Sequence, residues 1–543
     1  MTGRFMTGRW LCPLLIIGLS GYLAFRGLAD NYFWDDEAGT AIFARNLIDF
    51  GKLTAWDGRN LMAYRNGMEL DDNFINRYVP PLQFVVAAAG FEFLGVSTLG
   101  GRFTFVVIGL LALIIFFFIL RLESGGNRVL SCFGLSLLAL SPSFLLYIRQ
   151  CRYFSLGIFF PLFIYYFYKK YFGSRNPVHL ALASAGFIGL FFSHFLICAA
   201  FAFALLGVHL KFHLRRRGIF PFLAAGIVFG GVVAGYILFS GLIFPVFVCR
   251  SGREWLVDRV LLFAMNFREI NANGYFPWSM IAGIIWLELD RTFSGTLKKR
   301  AREWILLIVL YVICISLFSP QPVIEMGAAD VRYLIPVLPF GMALLGVFVF
   351  FLSTKSRPAA LVVMVLLIFT NSFSLNPWSP FRFRSYLINY LGEIHHDYTT
   401  PYEAAADFIG ENCSQDDLVM VIPPNMSYPL QFYVGEKVIF GGRLDERTEL
   451  LREKIIRLNP ALLVDEARPD WIISFRWRAL TEEVLTYFAL RGIRYELQTA
   501  LAVYYLGEMI RPELQLHFFR PITEFDPKTE GVLIFKRRKK IED

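Results

Sequence analysis

Three consecutive carboxylates, Asp35-Asp36-Glu37, follow Trp34 and open a stretch in which Ala41, Ala44, Leu47 and Ile48 recur at helical spacing, with Gly51 as a stop. Acids at the start of a helix complement its dipole, which accounts comfortably for one of the three. Crowded beside a membrane surface, they repel one another, and that repulsion raises at least one pKa. A carboxyl group so tuned suits a general base that takes a proton near neutral pH. A second set is cationic: Arg102, Arg149, Arg152 and Arg332 fall at the ends of long apolar blocks. Arginine at such a place either snorkels to the headgroups or has a functional partner.

Other candidates carry less. His194 follows Ser193 on a short turn and is read first as a helix-end polar residue. His395 and His396 are adjacent, so their side chains diverge and do not readily chelate one ion. The seven cysteines are scattered, without a C-x-x-C spacing, and read as small buried hydrophobes. Lys536-Arg537-Arg538-Lys539-Lys540 is read as a solvated or lipid-touching tail rather than a nucleic-acid tract.

The elements that must position these residues are membrane spans. Of 543 residues, 56% are hydrophobic and only 18% charged, against about 25% charged in soluble chains. The apolar residues come in blocks, which excludes a soluble enzyme, a coiled coil and a disordered chain. A span needs about 20 apolar residues. Candidates are Trp10–Ala29, Phe103–Leu120, Val129–Tyr147, Phe154–Tyr168, Leu180–Phe192, Phe195–Leu210 and Phe220–Val248. Phe276–Leu289, Trp304–Phe318, Leu334–Leu352 and Ala360–Phe373 follow, for a total of about eleven. The first reads as an uncleaved anchor, because its apolar core is long and Arg26 interrupts the approach to Gly27-Leu28-Ala29; a signal peptide cleaved there is the alternative.

Basic residues fall in alternate connections: Arg121 with Arg128, then Lys169, Lys170 and Arg175, then Lys211 and Arg215-Arg216-Arg217. Lys298, Lys299, Arg300 and Arg302 come next, then Lys355 and Arg357. The positive-inside rule puts these and the N-terminus in the cytoplasm. The acid cluster and the four arginines then lie outside, as does everything after Phe373. Extracytoplasmic connections are 30–102, the Arg149–Tyr153 hinge, the Ser193-His194 turn, Arg250–Tyr275 and Ser319–Tyr333. The apolar segment Pro80–Gly95 is too short to cross and reads as an interfacial helix, like Ala38–Phe50.

From about Asn376 the composition becomes that of a soluble domain. Val419–Ile422, Trp471–Ser474 and Val532–Phe535 read as strands. Tyr402–Glu411, Arg443–Leu458 and Glu482–Arg491 read as helices, giving a small α/β domain. The expected organisation is a polytopic α-helical catalytic domain over 1–375 and an extracytoplasmic α/β domain over 376–543.

With the residues in place, the sequence resembles the GT-C membrane glycosyltransferases, in the branch of protein O-mannosyltransferases and lipid A aminoarabinose transferases. The resemblance rests on Trp34-Asp35-Asp36-Glu37-Ala38 followed by Ala44-Arg45 and Gly51, then Pro80-Pro81-Leu82, Leu94-Gly95 and Gly101-Arg102. It continues at Arg149-Gln150-Cys151-Arg152-Tyr153 and at Arg332-Tyr333 with Pro336 and Pro339, and covers roughly the first 350 residues.

That resemblance implies transfer of a monosaccharide from a polyprenyl-phosphate donor to an acceptor hydroxyl of a lipid, glycan or protein. Asp36, matching the first acid of the family's Asp-Glu pair, would deprotonate the acceptor, which attacks the anomeric carbon with inversion. The leaving lipid phosphate needs fixed cations, and arginine's planar fork holds two of its oxygens. Arg102 and Arg152 match family positions, with Arg149, Tyr153 and Arg332 beside them and His194 and Tyr333 as weaker lining residues. A lysine usual before the Pro-Pro pair in the lipid A branch is Val79 here, which moves that cation to Arg77 or the protein to another branch. No metal is expected; a divalent ion on Asp35-Asp36-Glu37 is the minor alternative. Membrane lipids are partners and nucleic acid is not. The rival readings are a transporter or flippase of lipid-linked sugars, or a polymerase or ligase. Charges gathered at one face and the lack of an internal repeat favour the enzyme.

Overall fold

A computed structural model describes residues 4–62, 70–214, 220–240, 253–272, 283–285, 288, 290, 295–319, 331–370, 385–395, 399–441, 455, 457–459, 462, 467–475, 478–501, 503 and 531–538. The span expected at Phe276–Leu289 and the helix expected at Arg443–Leu458 lie largely outside them, as does Arg215-Arg216-Arg217. The chain packs as two compact units, one of 1–26, 105–395 and 507–516, the other of 27–104, 396–506 and 517–543.

The first unit is helical. It holds α1 (Arg4–Phe25) and most of α4 (Thr98–Glu123), after α2 (Asp35–Phe50) and α3 (Leu82–Leu94) of the other unit. Then come α5 (Arg128–Ala139), α6 (Pro142–Ile148), α7 (Phe154–Ser174), α8 (Pro177–Ser193), α9 (Phe195–Phe212) and α10 (Phe220–Ser240). The remainder are α11 (Arg253–Ala272), α12 (Gly295–Phe318), a 3-10 segment Val331–Val337, α13 (Leu338–Lys355), α14 (Arg357–Phe369) and α15 (Tyr386–Glu393). Among the described residues, α4, α9, α12 and Arg332–Lys355 are long and apolar enough to cross a membrane, and α5 with α6 makes a fifth if a bent pair counts. Large apolar side chains stay exposed along these helices, among them Leu111, Ile114 and Phe118 on α4 and Phe203 on α9, as acyl-chain contact requires. The protein is an integral membrane protein.

The block Val129–Tyr147 is not one straight span. It breaks at Ser141-Pro142, and the two pieces are bent by 61°. Ser141 precedes a proline and adopts ψ 119, outside the helical region, because the pyrrolidine ring crowds a helical residue before it. The connection Arg250–Tyr275 contains α11, a helix with Leu256, Val257, Val260 and Leu261 exposed and Asp258 and Arg259 buried. Two basic residues read as cytoplasmic anchors are instead ion-paired within the helical unit, Lys169 buried and Arg300 partly exposed. Lys169 pairs with Glu123 at 3.1 Å and Glu303 at 2.6 Å, and Arg300 pairs with the same two acids at 2.5 and 3.0 Å. Two positive and two negative charges thus tie α4, α7 and α12 together, with His213 3.5 Å from Glu303.

The second unit joins the segment 27–104 to the C-terminal part of the chain. Its later elements are α16 (Pro401–Asn412), β1 (Leu418–Ile422), α17 (Ser427–Tyr433), β2 (Val438–Gly441), β3 (Trp471–Phe475), α18 (Arg478–Leu490), β4 (Tyr495–Leu501) and β5 (Val532–Arg537). The sheet order is β2-β1-β3-β5-β4, parallel through β2, β1 and β3 and antiparallel through β5 and β4. Met420, Ile422, Phe440, Ile472, Val484 and Phe488 form its core. The strands β2 and β4 and the helix α17 add to the elements read from the sequence. Part of the basic tail is structured: Lys536 and Arg537 belong to β5, whose backbone pairs with β3 on one side and β4 on the other, and Arg537 pairs with Asp470 at 2.5 Å.

Candidate functional site

α2 begins where expected, with Asp35, Asp36 and Glu37 in its first turn, and Gly51 ends it at φ +67 in the left-handed conformation that glycine adopts without strain. Each acid has a different surrounding. Asp35 Oδ1 accepts the Asp36 N–H at 2.8 Å, and its Oδ2 accepts from the Asn425 side-chain amide at 2.5 Å. Glu37 is fully buried and forms a two-toothed pair with Arg102, Nε to Oε1 at 2.9 Å and Nη2 to Oε2 at 2.7 Å. Asp36 is half-buried in the first turn of the helix.

Arg102 is placed by close packing. A Cβ on Gly101 would come 2.5 Å from the Phe33 ring, so glycine is required there, and the Arg102 guanidinium lies 5.3 Å from the centre of the same ring. Besides Glu37, Arg102 donates to the carbonyls of Leu28 (3.0 Å), Asn31 (2.9 Å) and Tyr32 (3.2 Å). A guanidinium has five N–H groups, and these five contacts engage them all. The donor-phosphate role expected of Arg102 does not fit that geometry, since no N–H is left for a phosphate. Its chemistry here is to hold Glu37 and the 28–32 loop. Both Glu37 oxygens are committed to it, so a cation drawing on this turn would have Asp35 and Asp36 to work with.

The C-terminal domain reaches the same turn from α17. The Tyr433 hydroxyl accepts the Phe33 N–H at 2.9 Å and pairs with the Thr98 hydroxyl at 2.6 Å, while its ring stacks on Tyr32 at 3.7 Å. Burial pushes the Tyr433 phenol well up, so it stays protonated. Neither Asn425 nor Tyr433 was read as a site residue from the sequence. Both lie over 330 positions from their partners, and an asparagine after a Pro-Pro pair carries no local signal.

The other expected residues gather in the first unit. The Tyr153 and His194 rings lie 4.5 Å apart, and His194 and Tyr333 5.4 Å apart. The guanidinium of Arg152 sits 5.5 Å from the Tyr153 ring, and that of Arg332 5.6 Å from the Tyr333 ring. Three separate chain breaks build this cluster: the hinge between α6 and α7, the turn between α8 and α9, and the 3-10 segment before α13. The last is fixed by Tyr311 of α12, whose hydroxyl donates to the Tyr333 carbonyl at 2.8 Å. His194 Nδ1 accepts the Ile197 N–H, capping α9. Burial, with Arg332 and Arg152 nearby, pushes its imidazole down to about 3, so it is neutral at physiological pH. Two cations framed by three rings can receive an anion and exclude water from it.

Arg149 and Arg77 are not part of either cluster. Arg149 donates to the carbonyls of Leu23 (3.2 Å) and Arg26 (2.6 Å) and to the Tyr390 hydroxyl (3.2 Å). It therefore caps the C-terminal end of α1, where a cation complements the helix dipole. Arg77 pairs with Asp71 at 2.7 Å and is partly exposed.

The helical unit and the small α/β sheet together resemble the GT-C fold. The comparison with solved structures agrees. The chain is similar over 98% of its length, and 98% of the other, to ArnT from Cupriavidus metallidurans bound to undecaprenyl phosphate, with a TM-score of 0.58 at 14% identity. Against ArnT of the same organism in the apo state, 90% of this chain and 95% of that one align, with a TM-score of 0.56 at 16% identity. ArnT is the lipid A aminoarabinose transferase, and the fold, resembling it, is the one the sequence motifs implied. The sequence matches no family profile and no curated protein.

Proposed function

We propose that the protein is a membrane glycosyltransferase that moves a monosaccharide from a polyprenyl-phosphate donor to an acceptor hydroxyl at the outer face of the cytoplasmic membrane. The observation that carries this reading is the acid turn that opens α2. There Asp35 accepts from Asn425, Glu37 pairs with Arg102, and Asp36 is half-buried in the same turn. Asp36 takes the acceptor proton, the acceptor oxygen attacks the anomeric carbon, and the bond to the lipid phosphate breaks with inversion. Arg152 and Arg332 hold the departing phosphate, with Tyr153, His194 and Tyr333 as its aromatic surround; for those two arginines the fork geometry matters. Supporting the donor class, ArnT was crystallised with undecaprenyl phosphate on the same fold. The acceptor is a lipid, glycan or protein.

The reading includes about eleven spans over 1–375, the N-terminus inside, and the 376–543 domain outside. The test is turnover of a panel of undecaprenyl-phosphate monosaccharides by the purified protein with envelope extract as acceptor, followed as release of undecaprenyl phosphate. Asp36→Asn should lose about 10²–10⁴-fold in rate with donor affinity retained. Asp35→Asn should be milder. An inactive Asp35→Asn beside an active Asp36→Asn moves the base by one residue; full activity in both removes the acid turn from the chemistry.

A further inference from the structure

Asn425 and Asp35 are 390 positions apart, yet the amide of one donates to the carboxylate of the other at 2.5 Å. Asn425 is delivered from a firm place. It lies in the 3-10 turn Pro424–Met426 that follows β1, and the Met426 N–H closes that turn onto the Pro423 carbonyl at 3.1 Å. The Ser427 hydroxyl donates to the Pro424 carbonyl at 2.6 Å, and the Tyr402 hydroxyl lies 2.8 Å from Met426 Sδ. A Cβ on Gly441 of β2 would come 2.6 Å from Pro424 Cα, so the turn is packed against the sheet edge. Beyond it, α17 grips the chain just before the acids, through Tyr433 to Phe33 and Thr98.

The acid turn is thus clamped from the C-terminal domain at two points, Phe33 and Asp35. A carboxylate with a donor on each oxygen has one orientation. One donor to Asp35 is the Asp36 N–H itself, so the direction of Asp35 fixes the peptide plane from which the Asp36 side chain departs. Without Asn425, Asp35 Oδ2 loses that bond, and the hold of Asp35 on the Asp36 N–H loosens with it.

We infer that Asn425 is a positioning residue for the acid turn, by which the C-terminal domain orients Asp35 and, through it, Asp36. The inference rests on the reading of Asp36 as the base. It gives the C-terminal domain a part in the reaction: an asparagine supplied across the sequence to the N-terminal acids.

The experiment compares Asn425→Ala and Asn425→Asp with the unchanged full-length protein in lipid nanodiscs. The donor is the undecaprenyl-phosphate sugar that turns over in the panel, with the same envelope extract as acceptor. Asn425→Ala should lower kcat about 10- to 100-fold, the size expected for a lost hydrogen bond to a charged group. KM for the donor should stay within about two-fold, because the contact is made to the base and not to the lipid. Asn425→Asp keeps the shape and removes the donor while its new carboxyl is ionised. As pH falls that carboxyl gains a proton and can donate to Asp35, so its activity relative to Asn425→Ala should rise towards acid pH. A merely structural contact predicts no such crossing.

Amide exchange supplies a readout that needs no turnover: the Asp36 N–H should exchange about ten-fold faster in Asn425→Ala, the size expected when its hydrogen bond loosens. Unchanged kcat or unchanged exchange in Asn425→Ala, with Asp36→Asn inactive, overturns the inference and leaves the proposed function standing. Full activity of Asp36→Asn overturns both. Loss of kcat with faster exchange and the acid recovery supports it.

Discussion

Arg102 separates two accounts of this protein, because motif and geometry give it different jobs. As a phosphate ligand, it would affect donor affinity; as the partner of Glu37, it would affect folding of the first loop. The structure allows the second to be sized. Arg102→Met leaves a fully buried carboxylate, Glu37, without its cation, and removes the donors from the Leu28, Asn31 and Tyr32 carbonyls. Removing one partner of a buried ion pair costs about 3–5 kcal/mol. Arg102→Lys keeps the charge but offers three N–H groups to five acceptors. At least two bonds go, at about 0.5–1.5 kcal/mol each, which makes the lysine variant destabilised by roughly 1–3 kcal/mol. Glu37→Gln in the Arg102→Met background removes the stranded charge and should recover part of the loss, so the pair shows coupling in a double-mutant cycle. The assay is thermal denaturation in nanodiscs followed by tryptophan fluorescence, beside donor KM in the fraction that remains folded. Lower melting with an unchanged donor KM is expected for both arginine variants. Wild-type melting with a donor KM raised ten-fold or more would return Arg102 to the phosphate and refute the argument.

Arg152→Lys and Arg332→Lys should each lose about 10- to 150-fold in turnover or donor affinity, since lysine supplies charge without the fork; kinetics near wild type in both would empty the proposed phosphate cluster. Arg149→Lys should turn over nearly normally yet melt earlier, because its bonds to Leu23, Arg26 and Tyr390 cap α1 and touch no substrate. Glu303→Gln should destabilise the helical unit by about 3–5 kcal/mol by leaving Lys169 and Arg300 undercompensated, and a melting curve unchanged from wild type would argue against the buried network. Reporter fusions at Lys355 and after Asp543 should give opposite signals, and the same sign at both would remove the eleven-span arrangement.

Local pattern carried much of the architecture. The first turn of α2 and its glycine stop, the short helix after Pro80-Pro81, the Arg149–Tyr153 hinge, the Ser193-His194 turn and three of the five strands follow from helical spacing, apolar length and turn residues. These depend on interactions within a few residues, which a sequence displays directly. Where the local rule was present but overlooked, as at Ser141-Pro142, the proline had already marked the bend. The residues around His194 also came together as motif order suggested, because each sits at a helix end where the chain must turn.

What the sequence by itself determined is a membrane-embedded helical chain with an acid turn after the first helix, arginines at helix ends and a small sheet of strands and helices at the C-terminus. Tertiary structure decided what those charges do. Lys169 and Arg300 look like cytoplasmic anchors until Glu123 and Glu303 are found beside them, and Arg102 looks like a phosphate ligand until five acceptors surround it. Asn425 and Tyr433 enter the acid turn only because the C-terminal domain packs on the first loop. The physical reason is the same in each case. Helical period and apolar length act through neighbours along the chain, whereas a charge takes its role from whichever group lies within about 4 Å at low dielectric, and folding brings that group from anywhere in the sequence.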